Sequence, residues 1–460
     1  MFKTDRKIHF VGIGGIGMSG IAEVLLNLGY KVSGSDLRSS PITERLEALG
    51  AKIYLGHSPE NVGDSFVVVI SSAVNDDNPE VVTAQNNLIP VIPRAEMLAE
   101  LMRMKYSVAV AGVHGKTTTT SLVACILSEG GLDPTVVVGG KLGKIGSNAR
   151  LGQGKFLVAE ADESDGSFLL LAPSIAVVTN IDREHMNHYG TDEAMEDAFV
   201  DFANKVPFYG AVVLCLEDQR VQEVLPRINR RTITYGLSRQ ADLSTRHVSM
   251  AEGKTTFEVL RNQVPIAEVK LSLPGQHNVL NALAAFSVGL ELGVKPEVIA
   301  RALSGFDGVD RRSQIKGEGR GIMVVDDYAH HPTEIEAMLS GMREAWDRRI
   351  IAIFQPHRYS RTQDLAERFS TAFYGADILF VTDIYPAGEK PIDGISGETL
   401  AERIRAHGHR SVTYVGKIDD AAEAVLEVAK EGDLIVTLGA GNIWQISEAL
   451  VDTLQEGGDG

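Results

Sequence analysis

The sequence predicts an α/β protein built from several domains. Apolar runs of four or five residues, at 8–11, 66–70, 156–160 and 175–178, alternate with patterns typical of amphipathic helices. Strands that alternate with helices of this length favour βαβ units and parallel sheets. At 460 residues the chain exceeds what one hydrophobic core usually supports, so about three domains are expected.

Changes in patterning place the expected boundaries, and we predict domains at residues 1–98, 99–310 and 311–460. The first boundary falls in a stretch of charged residues that precedes a new apolar strand. Short runs of alternating apolar and polar residues at 232–273 predict a segment of antiparallel strands inside the second domain. From Arg311 onward, apolar strands and helical segments alternate once more.

Composition excludes several classes of partner. The formal net charge of −17 argues against binding along a nucleic-acid backbone, which usually requires a basic surface. Cys125 and Cys215 lie in apolar surroundings and are expected to pack as thiols, not to form a disulfide framework. The polar N-terminus does not resemble a secretion signal, and no apolar run approaches the roughly 18 residues of a membrane span. We therefore expect a cytoplasmic protein with no membrane partner.

The segment at 108–120 predicts a phosphate-binding loop. An apolar strand runs into Gly112, and Gly115 precedes Lys116 and four threonines. A glycine turn between a strand and a helix directs backbone N–H groups at an anion, with a lysine for terminal phosphates and a threonine hydroxyl for Mg²⁺. The common form of this loop has a further glycine at the position of Val110. The alternative is an ordinary strand-to-helix turn with a lysine that faces solvent.

A second glycine turn lies near the N-terminus. Gly12, Gly14 and Gly17 follow an apolar strand, and Asp36 ends the next one. This spacing fits a dinucleotide fingerprint, so a nicotinamide cofactor is one interpretation and a plain tight turn is another. A UDP-linked substrate would use the same glycines for its diphosphate, with the Asp36 carboxylate available to a hydroxyl.

Acidic and imidazole groups follow two strands of the predicted central domain. Glu160 ends an apolar strand and precedes Asp162, Glu163 and Asp165, and His185 follows the strand at 175–178. Strand ends of α/β sheets point into the ligand crevice, where carboxylates bind Mg²⁺ together with substrate phosphates. The alternatives are an acidic loop of an acidic protein and a structural histidine.

Two further groups of residues are candidates for nucleotide contacts. Asn278 and Asn281 are three residues apart on one helix face, where their amides can read an adenine edge or cap the helix. Arg312 lies where the third domain begins, and we expect it either to reach the γ-phosphate or to be a solvated linker residue.

Two dense clusters of titratable residues, at 325–332 and 354–361, follow apolar strands of the third domain. Each combines histidine, tyrosine or arginine side chains, and we expect the clusters at adjacent strand ends. Together they predict a cationic cleft suited to a carboxylate, because arginine binds carboxylates bidentately.

With these motifs in view, the chain resembles the Mur ligase family over nearly its whole length, from residues 9–20 to residues 437–444. The short phosphate loop at 112–118 matches the family's own loop. The resemblance implies a Rossmann-like N-terminal domain for a UDP substrate, a central P-loop-type ATPase domain, and a Rossmann-like C-terminal domain that receives an amino acid.

The resemblance also implies roles for individual residues. Lys116, Glu160, His185, Arg312 and Asp327 resemble catalytic residues, and Thr117, Glu160 and His185 resemble ligands of Mg²⁺. The implied ATP contacts are Gly112, Val113, His114, Gly115, Lys116, Thr117, Thr118, His277, Asn278, Asn281 and Arg312. The implied contacts of the UDP substrate are Gly14, Gly15, Ile16, Gly17, Asp36, His57, Ser71 and Ser72. Those of the amino acid are Tyr328, His330, His357, Arg358 and Arg361.

Within the family, the resemblance implies ATP and Mg²⁺ as cofactors and UDP-N-acetylmuramate and L-alanine as substrates, joined through an acyl phosphate. We expect a monomer or a weak homodimer. The alternatives are the recycling ligase that attaches a tripeptide to the same UDP sugar, a dehydrogenase that uses the first glycine turn, and a nucleotide-gated binding protein without turnover.

Overall fold

The structure, a computed structural model, describes residues 4–71, 73–142 and 147–456. Within these residues the strands form three sheets, of five, ten and six strands, and helices connect most of the strands. The predicted α/β class is confirmed. Ser72, an expected substrate contact, lies outside the described residues, as does the side chain of Ile16.

The first sheet is parallel in each described pairing and has the order β3-β2-β1-β4-β5. The strand order reverses beside β1, which is where open α/β sheets bind their ligands. Gly15 is the N-cap of the first helix, so this helix begins inside the glycine turn. The elements are β1 (Lys7–Val11), α1 (Ile16–Asn27), β2 (Lys31–Asp36), α2 (Pro41–Ala48), β3 (Lys52–Leu55), α3 (Pro59–Val62), β4 (Val67–Ile70), α4 (Pro79–Asn86), β5 (Val91–Pro93) and α5 (Arg94–Met102).

The second sheet has the order β15-β14-β13-β12-β11-β10-β6-β9-β7-β8. The strands at its centre, β10, β6 and β9, are parallel neighbours, so their carboxyl ends meet at one edge. Turns of two residues join β13 to β14 and β14 to β15, a length that connects antiparallel strands, as predicted for this region. The elements are β6 (Tyr106–Ala111), α6 (Lys116–Glu129), β7 (Thr135–Leu142), β8 (Ser147–Arg150), β9 (Phe156–Glu160), β10 (Ile175–Val178), α7 (Met186–Tyr189), α8 (Asp192–Asn204), β11 (Ala211–Cys215), α9 (Gln219–Val224), β12 (Thr232–Tyr235), β13 (Leu243–Ala251), β14 (Lys254–Arg261), β15 (Val264–Leu271), α10 (Gln276–Glu291) and α11 (Pro296–Ser304).

The third sheet has the order β16-β17-β21-β18-β19-β20. The edge strand β16 is antiparallel to β17 and was not predicted, because its sequence has few apolar residues. The elements are β16 (Gln314–Gly319), β17 (Ile322–Asp327), α12 (Pro332–Ala345), β18 (Ile350–Phe354), α13 (Tyr359–Asp364), α14 (Ala366–Phe369), β19 (Ile378–Thr382), α15 (Gly397–Ala406), β20 (Val412–Gly416), α16 (Ile418–Val428), β21 (Leu434–Leu438) and α17 (Trp444–Glu456).

By compactness, the described chain divides into two units. Unit one comprises the described parts of Met1–His247, Phe257–Val269 and Leu280–Asp307, and unit two those of Val248–Thr256, Lys270–Val279 and Gly308–Gly460. The first sheet and most of the second therefore share unit one, and the boundaries at residues 98 and 310 stay predictions.

One buried cluster of unit one contains apolar residues from both of its sheets, including Ile8, Leu98, Leu157 and Phe168. Helix α5 contributes several of these residues, so it fixes Arg94, its first residue, between the two sheets. Both cysteines are free thiols, as expected. Among the described helices, none combines the length and the apolar character needed to cross a bilayer.

Candidate active site

The phosphate loop connects β6 to α6 in unit one. Val110, which occupies the position of the missing glycine, is fully buried and pairs with Glu160 on one side and Val177 on the other. It is therefore an interior residue of a central strand. The turn starts only at Gly112, which is the physical reason for the short spacing.

Both glycines of the loop hold positions that a larger residue would disturb. Gly112 has a φ of +124°, and a Cβ there would lie 2.1 Å from Thr179 Oγ1. Gly115 has a φ of +80°, and a Cβ there would lie 2.5 Å from Asn281 Oδ1, which also accepts a hydrogen bond of 3.2 Å from Thr119 Oγ1. The amide of Asn281 thus lies directly against the loop, at the start of α6.

Lys116 is held at the centre of the loop. Its ammonium group donates to the carbonyl groups of Gly112, at 2.6 Å, and Val113, at 3.1 Å. It also donates to both carboxylate oxygens of Glu163, each at 2.9 Å. Burial alone favours the neutral amine, but the charge of Glu163 outweighs it and raises the pKa of Lys116. The alternative of a lysine that faces solvent is wrong.

Glu163 is a site residue that sequence patterns did not distinguish from its acidic neighbours. Its side chain is 1% exposed and faces Lys116, while His185 Nε2 lies 3.7 Å from its Oε1. Sequence spacing gives no signal for this choice, because Asp162 and Asp165 follow the same strand end within five residues.

The carboxyl end of β9 fits a magnesium ion by the chemistry of its donors. The buried Oε1 atom of Glu160 has no hydrogen-bond partner among the described residues, and a buried carboxylate oxygen calls for one. The charges of Glu160, Asp162 and Glu163 all act on Lys116, so the group is compact. Carboxylate oxygens are the ligands that Mg²⁺ prefers, and this edge would supply them.

The N-terminal glycine turn is joined to the first sheet by Asp36. The N–H of Gly14 donates to Asp36 Oδ2 at 2.9 Å, so this carboxylate, which was expected to meet a substrate hydroxyl, also holds the turn. A Cβ on Gly17 would lie 2.0 Å from the guanidinium of Arg94, and Arg94 pairs with Asp162 at 3.4 Å. Arg94 was not predicted. It connects the glycine turn to the acidic group of the second sheet.

A buried polar network lies beneath the same turn. Glu80, which is fully buried, accepts hydrogen bonds from Ser35 Oγ at 2.5 Å and Asn61 Nδ2 at 2.6 Å. Ser35 Oγ is also 2.9 Å from His57 Nδ1, and His9 Nε2 lies 3.5 Å from Glu80. Burial opposes ionisation of Glu80, but these neighbours outweigh it and lower the pKa to about 2. His57, an expected substrate contact, is thus connected to an ionised carboxylate through the hydroxyl of Ser35.

In unit two, the buried Asp327 and the partly buried His277 both lie close enough to Arg312 to feel its charge. Burial raises the pKa of Asp327 to about 6, although its carboxylate accepts from the backbone N–H groups of Ser313, at 2.6 Å, and Ala329, at 2.7 Å. Burial and the charge of Arg312 lower the pKa of His277 to about 4. Arg312 lies 5.0 Å above the ring of Tyr328, so it packs in the fold and is not a solvated linker residue.

The side chain of Asn278 is engaged locally, because its Nδ2 donates to the Pro274 carbonyl at 2.7 Å. Arg311, which precedes Arg312 in the chain, has a structural role that was not predicted. It pairs with Asp326 at 3.0 Å and donates to the Gly439 carbonyl at 2.6 Å.

The predicted amino-acid residues come together in unit two. The rings of His330 and His357 are 5.9 Å apart, and His357 stacks on Tyr385 at 5.5 Å with an interplanar angle of 8°. Arg361 Nη1 lies 3.1 Å from His357 Nδ1, and since arginine only donates, Nδ1 accepts. Burial, together with the charges of His330 and the arginines Arg361 and Arg358, lowers the pKa of His357 to about 3. The cleft therefore combines a neutral imidazole with two guanidinium groups.

The expectation that the two clusters follow adjacent strands is wrong. The clusters follow β17 and β18, and β21 lies between these strands and pairs with both. The clusters still meet through His330 and His357, and the segment after β21 packs against the second cluster. A Cβ on Gly441 would lie 2.3 Å from Gln355 Oε1 and 2.8 Å from the ring of Tyr385, so only a glycine leaves room for these side chains.

Family models match most of the chain in three consecutive parts. The Mur ligase family catalytic domain matches residues 7–106, the Mur ligase middle domain residues 110–289, and the Mur ligase glutamate ligase domain residues 311–441. The chain belongs to the Mur ligase family. The three matches confirm the predicted three-domain architecture, and membership of a ligase family removes the support for a nicotinamide dehydrogenase.

Relatives in the Mur ligase family match the chain over nearly its full length. It is 60% identical over 455 residues to the UDP-N-acetylmuramate–L-alanine ligase of Geotalea uraniireducens, with 99% of each chain covered. It is 59% identical over 458 residues to the ligase of the same name from Geobacter sulfurreducens, again with 99% of each covered.

Solved structures of Mur ligases share the fold. The UDP-N-acetylmuramate–alanine ligase of Thermotoga maritima has a TM-score of 0.82 and 31% identity, with 98% of this chain and 99% of that chain covered. A murein peptide ligase of Psychrobacter arcticus has a TM-score of 0.69 and 25% identity, with 98% of each chain covered.

We expect Gly112→Ala to destabilise the protein by about 2 kcal/mol or more, since the new methyl group meets Thr179 in addition to the strain of a positive φ. Gly131→Ala is the matched control, because Gly131 has a φ of +73° with nothing within 4 Å of its Cβ position. Chemical denaturation of both variants measures the difference. Equal losses would contradict the close approach of Gly112 to Thr179.

Glu80 makes the free energy of unfolding of the N-terminal domain depend on pH in the acidic range. Its folded pKa of about 2 lies below the value of 4.5 of a free glutamate, so its ionised form stabilises the fold by up to about 3 kcal/mol. This contribution is present above about pH 4.5 and is lost as the pH falls toward 2. We expect the stability gap between wild type and Glu80→Gln to close over that range in denaturation curves. The exposed Asp64→Asn control should show no such closure.

We expect Arg361→Lys to raise the KM for L-alanine about tenfold or more, because a fork of two N–H donors is replaced by a single ammonium group. The exposed Arg368→Lys is the control and should leave this KM unchanged. Initial rates at saturating concentrations of the other substrates give the comparison. An unchanged KM for Arg361→Lys would remove this residue from the amino-acid site.

Proposed function

We propose that the chain joins L-alanine to the lactyl carboxylate of UDP-N-acetylmuramate at the expense of ATP, in the synthesis of the peptidoglycan precursor. The observation that carries this proposal is the identity of about 60% to ligases of that name over 99% of both chains. The arrangement of the loop, the glycine turn and the cationic cleft agrees with it.

Unit one supplies the groups for phosphoryl transfer. We infer that the loop from Gly112 to Thr118 cradles the ATP phosphates and that Lys116 meets the terminal ones. Magnesium would be held by Glu160, with Thr117 and His185, and it would neutralise charge on the phosphates. ATP phosphates and Glu163 then compete for the same ammonium group, so Glu163 keeps Lys116 oriented until the nucleotide arrives.

The reaction we propose has two displacement steps. A carboxylate oxygen of the muramoyl group attacks the γ-phosphorus, the bond to the ADP oxygen breaks, and an acyl phosphate forms. The amine of L-alanine then attacks the acyl carbon, a proton leaves the nitrogen, and inorganic phosphate departs as the amide forms. Catalysis of this kind rests on positioning and on cationic groups that stabilise developing negative charge, which is the role we give to Lys116 and Arg312.

Unit two supplies the groups for the amino acid. We assign Arg358 and Arg361 to the alanine carboxylate, and Tyr328, His330 and His357 to the walls around it. His357 stays neutral at neutral pH, because its pKa is about 3, so it adds no charge that would repel the incoming amine. We further propose that the enzyme acts in the cytoplasm, as a monomer or a weak homodimer.

We expect Lys116→Ala to lower kcat at least about 100-fold, the scale for removing one group that stabilises transition-state charge. Phosphate release that requires both UDP-N-acetylmuramate and L-alanine measures the activity. The tripeptide substrate of the recycling ligase, tested in place of L-alanine, should give none. Release without L-alanine, or a preference for the tripeptide, would contradict the proposed reaction.

Two further variants control for folding. Lys116→Ala leaves the buried Glu163 without its cation, which is destabilising, so the double variant Lys116→Ala/Glu163→Gln should regain stability but stay inactive. Lys155→Ala, which removes an exposed lysine of the same domain, should keep the wild-type kcat. Near-normal kcat in the double variant would remove Lys116 from the mechanism.

A further inference from the structure

Glu80 is a buried carboxylate that the proposed reaction does not use. It lies in the first turn of α4 and is fully buried, yet its contacts reach the predicted UDP-substrate site. Its Oε1 atom accepts from Asn61 Nδ2 at 2.6 Å and from the backbone N–H of Ser58 at 3.3 Å. Its Oε2 atom accepts from Ser35 Oγ at 2.5 Å. An ionised carboxylate only accepts hydrogen bonds, so all three neighbours must donate to it.

The hydroxyl of Ser35 therefore determines which nitrogen of His57 carries a proton. Ser35 has one hydroxyl hydrogen, and the contact of 2.5 Å directs it to Glu80. The oxygen of Ser35 lies 2.9 Å from His57 Nδ1, and with its own hydrogen used it can only accept there. Glu80 Oε2 also lies 3.4 Å from the same nitrogen, and an ionised carboxylate can only accept. His57 Nδ1 is thus the donor of this bond.

The opposite ring nitrogen of His57 is left for a ligand. The side chain of His57 is 18% exposed, and no described residue forms a hydrogen bond to Nε2. In a neutral imidazole with the proton on Nδ1, Nε2 carries a lone pair and accepts hydrogen bonds. Such a nitrogen repels the oxygens of a diphosphate and suits an N–H or O–H group.

We propose that Glu80 is a positioning residue: through Ser35 and through its own Oε2 atom it fixes the Nδ1–H tautomer of His57, so that Nε2 accepts a hydrogen bond from the nucleoside part of the substrate. The ligand group is a hydrogen-bond donor, which in a uridine nucleotide is the imide N–H of the base or a hydroxyl of the ribose. This inference rests on the proposed function, because it takes His57 to lie in the site of the UDP substrate.

Glu80→Gln tests the relay with a side chain of nearly the same size. Two donors face the position of Oε1, so the amide oxygen belongs there and the amide N–H₂ takes the position of Oε2. The amide then donates to Ser35, whose hydroxyl hydrogen turns to His57 Nδ1, and the ring proton moves to Nε2. The N–H at Nε2 of His57 now faces the hydrogen-bond donor of the substrate, so this hydrogen bond is lost.

We expect Glu80→Gln to raise the KM for UDP-N-acetylmuramate about five- to tenfold, the worth of one hydrogen bond. The kcat and the KM values for ATP and L-alanine should stay within about twofold, since the sites of these substrates are untouched. Asp64→Asn is the matched control: it removes an acidic group of the same domain whose side chain is 93% exposed, and it should leave all constants unchanged.

A spectroscopic measurement separates this relay from a general loss of packing. In ¹⁵N-labelled wild type, His57 should show a protonated Nδ1 and an unprotonated Nε2, and in Glu80→Gln the two should exchange. A ring protonated on both nitrogens at neutral pH in wild type would overturn the proposal, as would an unchanged tautomer in the variant.

Substrate analogues identify the donor. One analogue is methylated at N3 of uracil, a second lacks the ribose 2′-hydroxyl, and a third lacks the 3′-hydroxyl. In wild type, one of the three should raise the KM about five- to tenfold, and in Glu80→Gln that same analogue should behave like the parent substrate. If all three analogues keep the parent KM in wild type, Nε2 does not bind the nucleoside and the proposal is wrong.

Failure of this inference is distinguishable from failure of the proposed function. Wild-type protein that releases no phosphate with UDP-N-acetylmuramate and L-alanine contradicts the function. Wild type that ligates normally, beside a Glu80→Gln variant with an unchanged KM for the UDP substrate, contradicts only the relay. In a His57→Gln background, Glu80→Gln should add no further effect on that KM, and an additive loss would show that Glu80 acts by another route.

Discussion

The buried ion pair of Lys116 with Glu163 organises the centre of unit one. Lys116 belongs to the turn after β6, and Glu163 belongs to the turn after β9, so the pair joins the ends of neighbouring strands. Removing one partner of a buried pair leaves an uncompensated charge, which costs several kcal/mol. The loop is thereby held in one conformation with its lysine directed at the acidic end of the sheet, and the groups suited to Mg²⁺ lie at that same end.

Charged neighbours determine the hydrogen-bonding role of Nδ1 in two histidines, His57 and His357. The two roles are opposite, because one neighbour is a hydrogen-bond acceptor and the other is a donor. Glu80 is an acceptor, and through Ser35 it makes His57 Nδ1 a donor. Arg361 is a donor, and it makes His357 Nδ1 an acceptor. In both places the fold fixes the charged group, and the hydrogen bond determines which ring nitrogen carries the proton. The position of this proton is therefore set before any ligand binds.

Local charge in this protein is independent of the net charge. The chain carries a formal charge of −17, yet the cleft of unit two combines Arg358, Arg361 and a histidine that burial keeps neutral. Buried Asp327 is held by backbone donors while burial raises its pKa to about 6. Burial and immediate neighbours set these properties, because charges beyond about 10 Å are screened by salt in solution.

The sequence by itself determined the alternation of strands and helices, the two glycine turns and the residues at the ends of strands. These features depend on local patterning: apolar runs bury, glycines permit a positive φ, and a lysine after such a turn meets anions. For this reason Lys116, Glu160, Asp36 and the two clusters of titratable residues could be singled out without the structure, while the roles given to them stay predictions. The strand order was not accessible in this way, and the expectation that β17 and β18 are adjacent was wrong because β21 returns from the end of the chain to lie between them.

Only the tertiary structure decided which members of each group of candidates meet. The geometry of the turn places Glu163, and not Asp162 or Asp165, in hydrogen-bond contact with Lys116. Arg94 and Glu80 lie on helices that carry no recognisable motif. Their roles depend on contacts between residues 47, 68 and 45 positions apart in the chain. Hydrogen bonds and ion pairs act over a few ångströms in space, whatever the separation in sequence, so the partner of each buried charge is settled only when the sheets have packed.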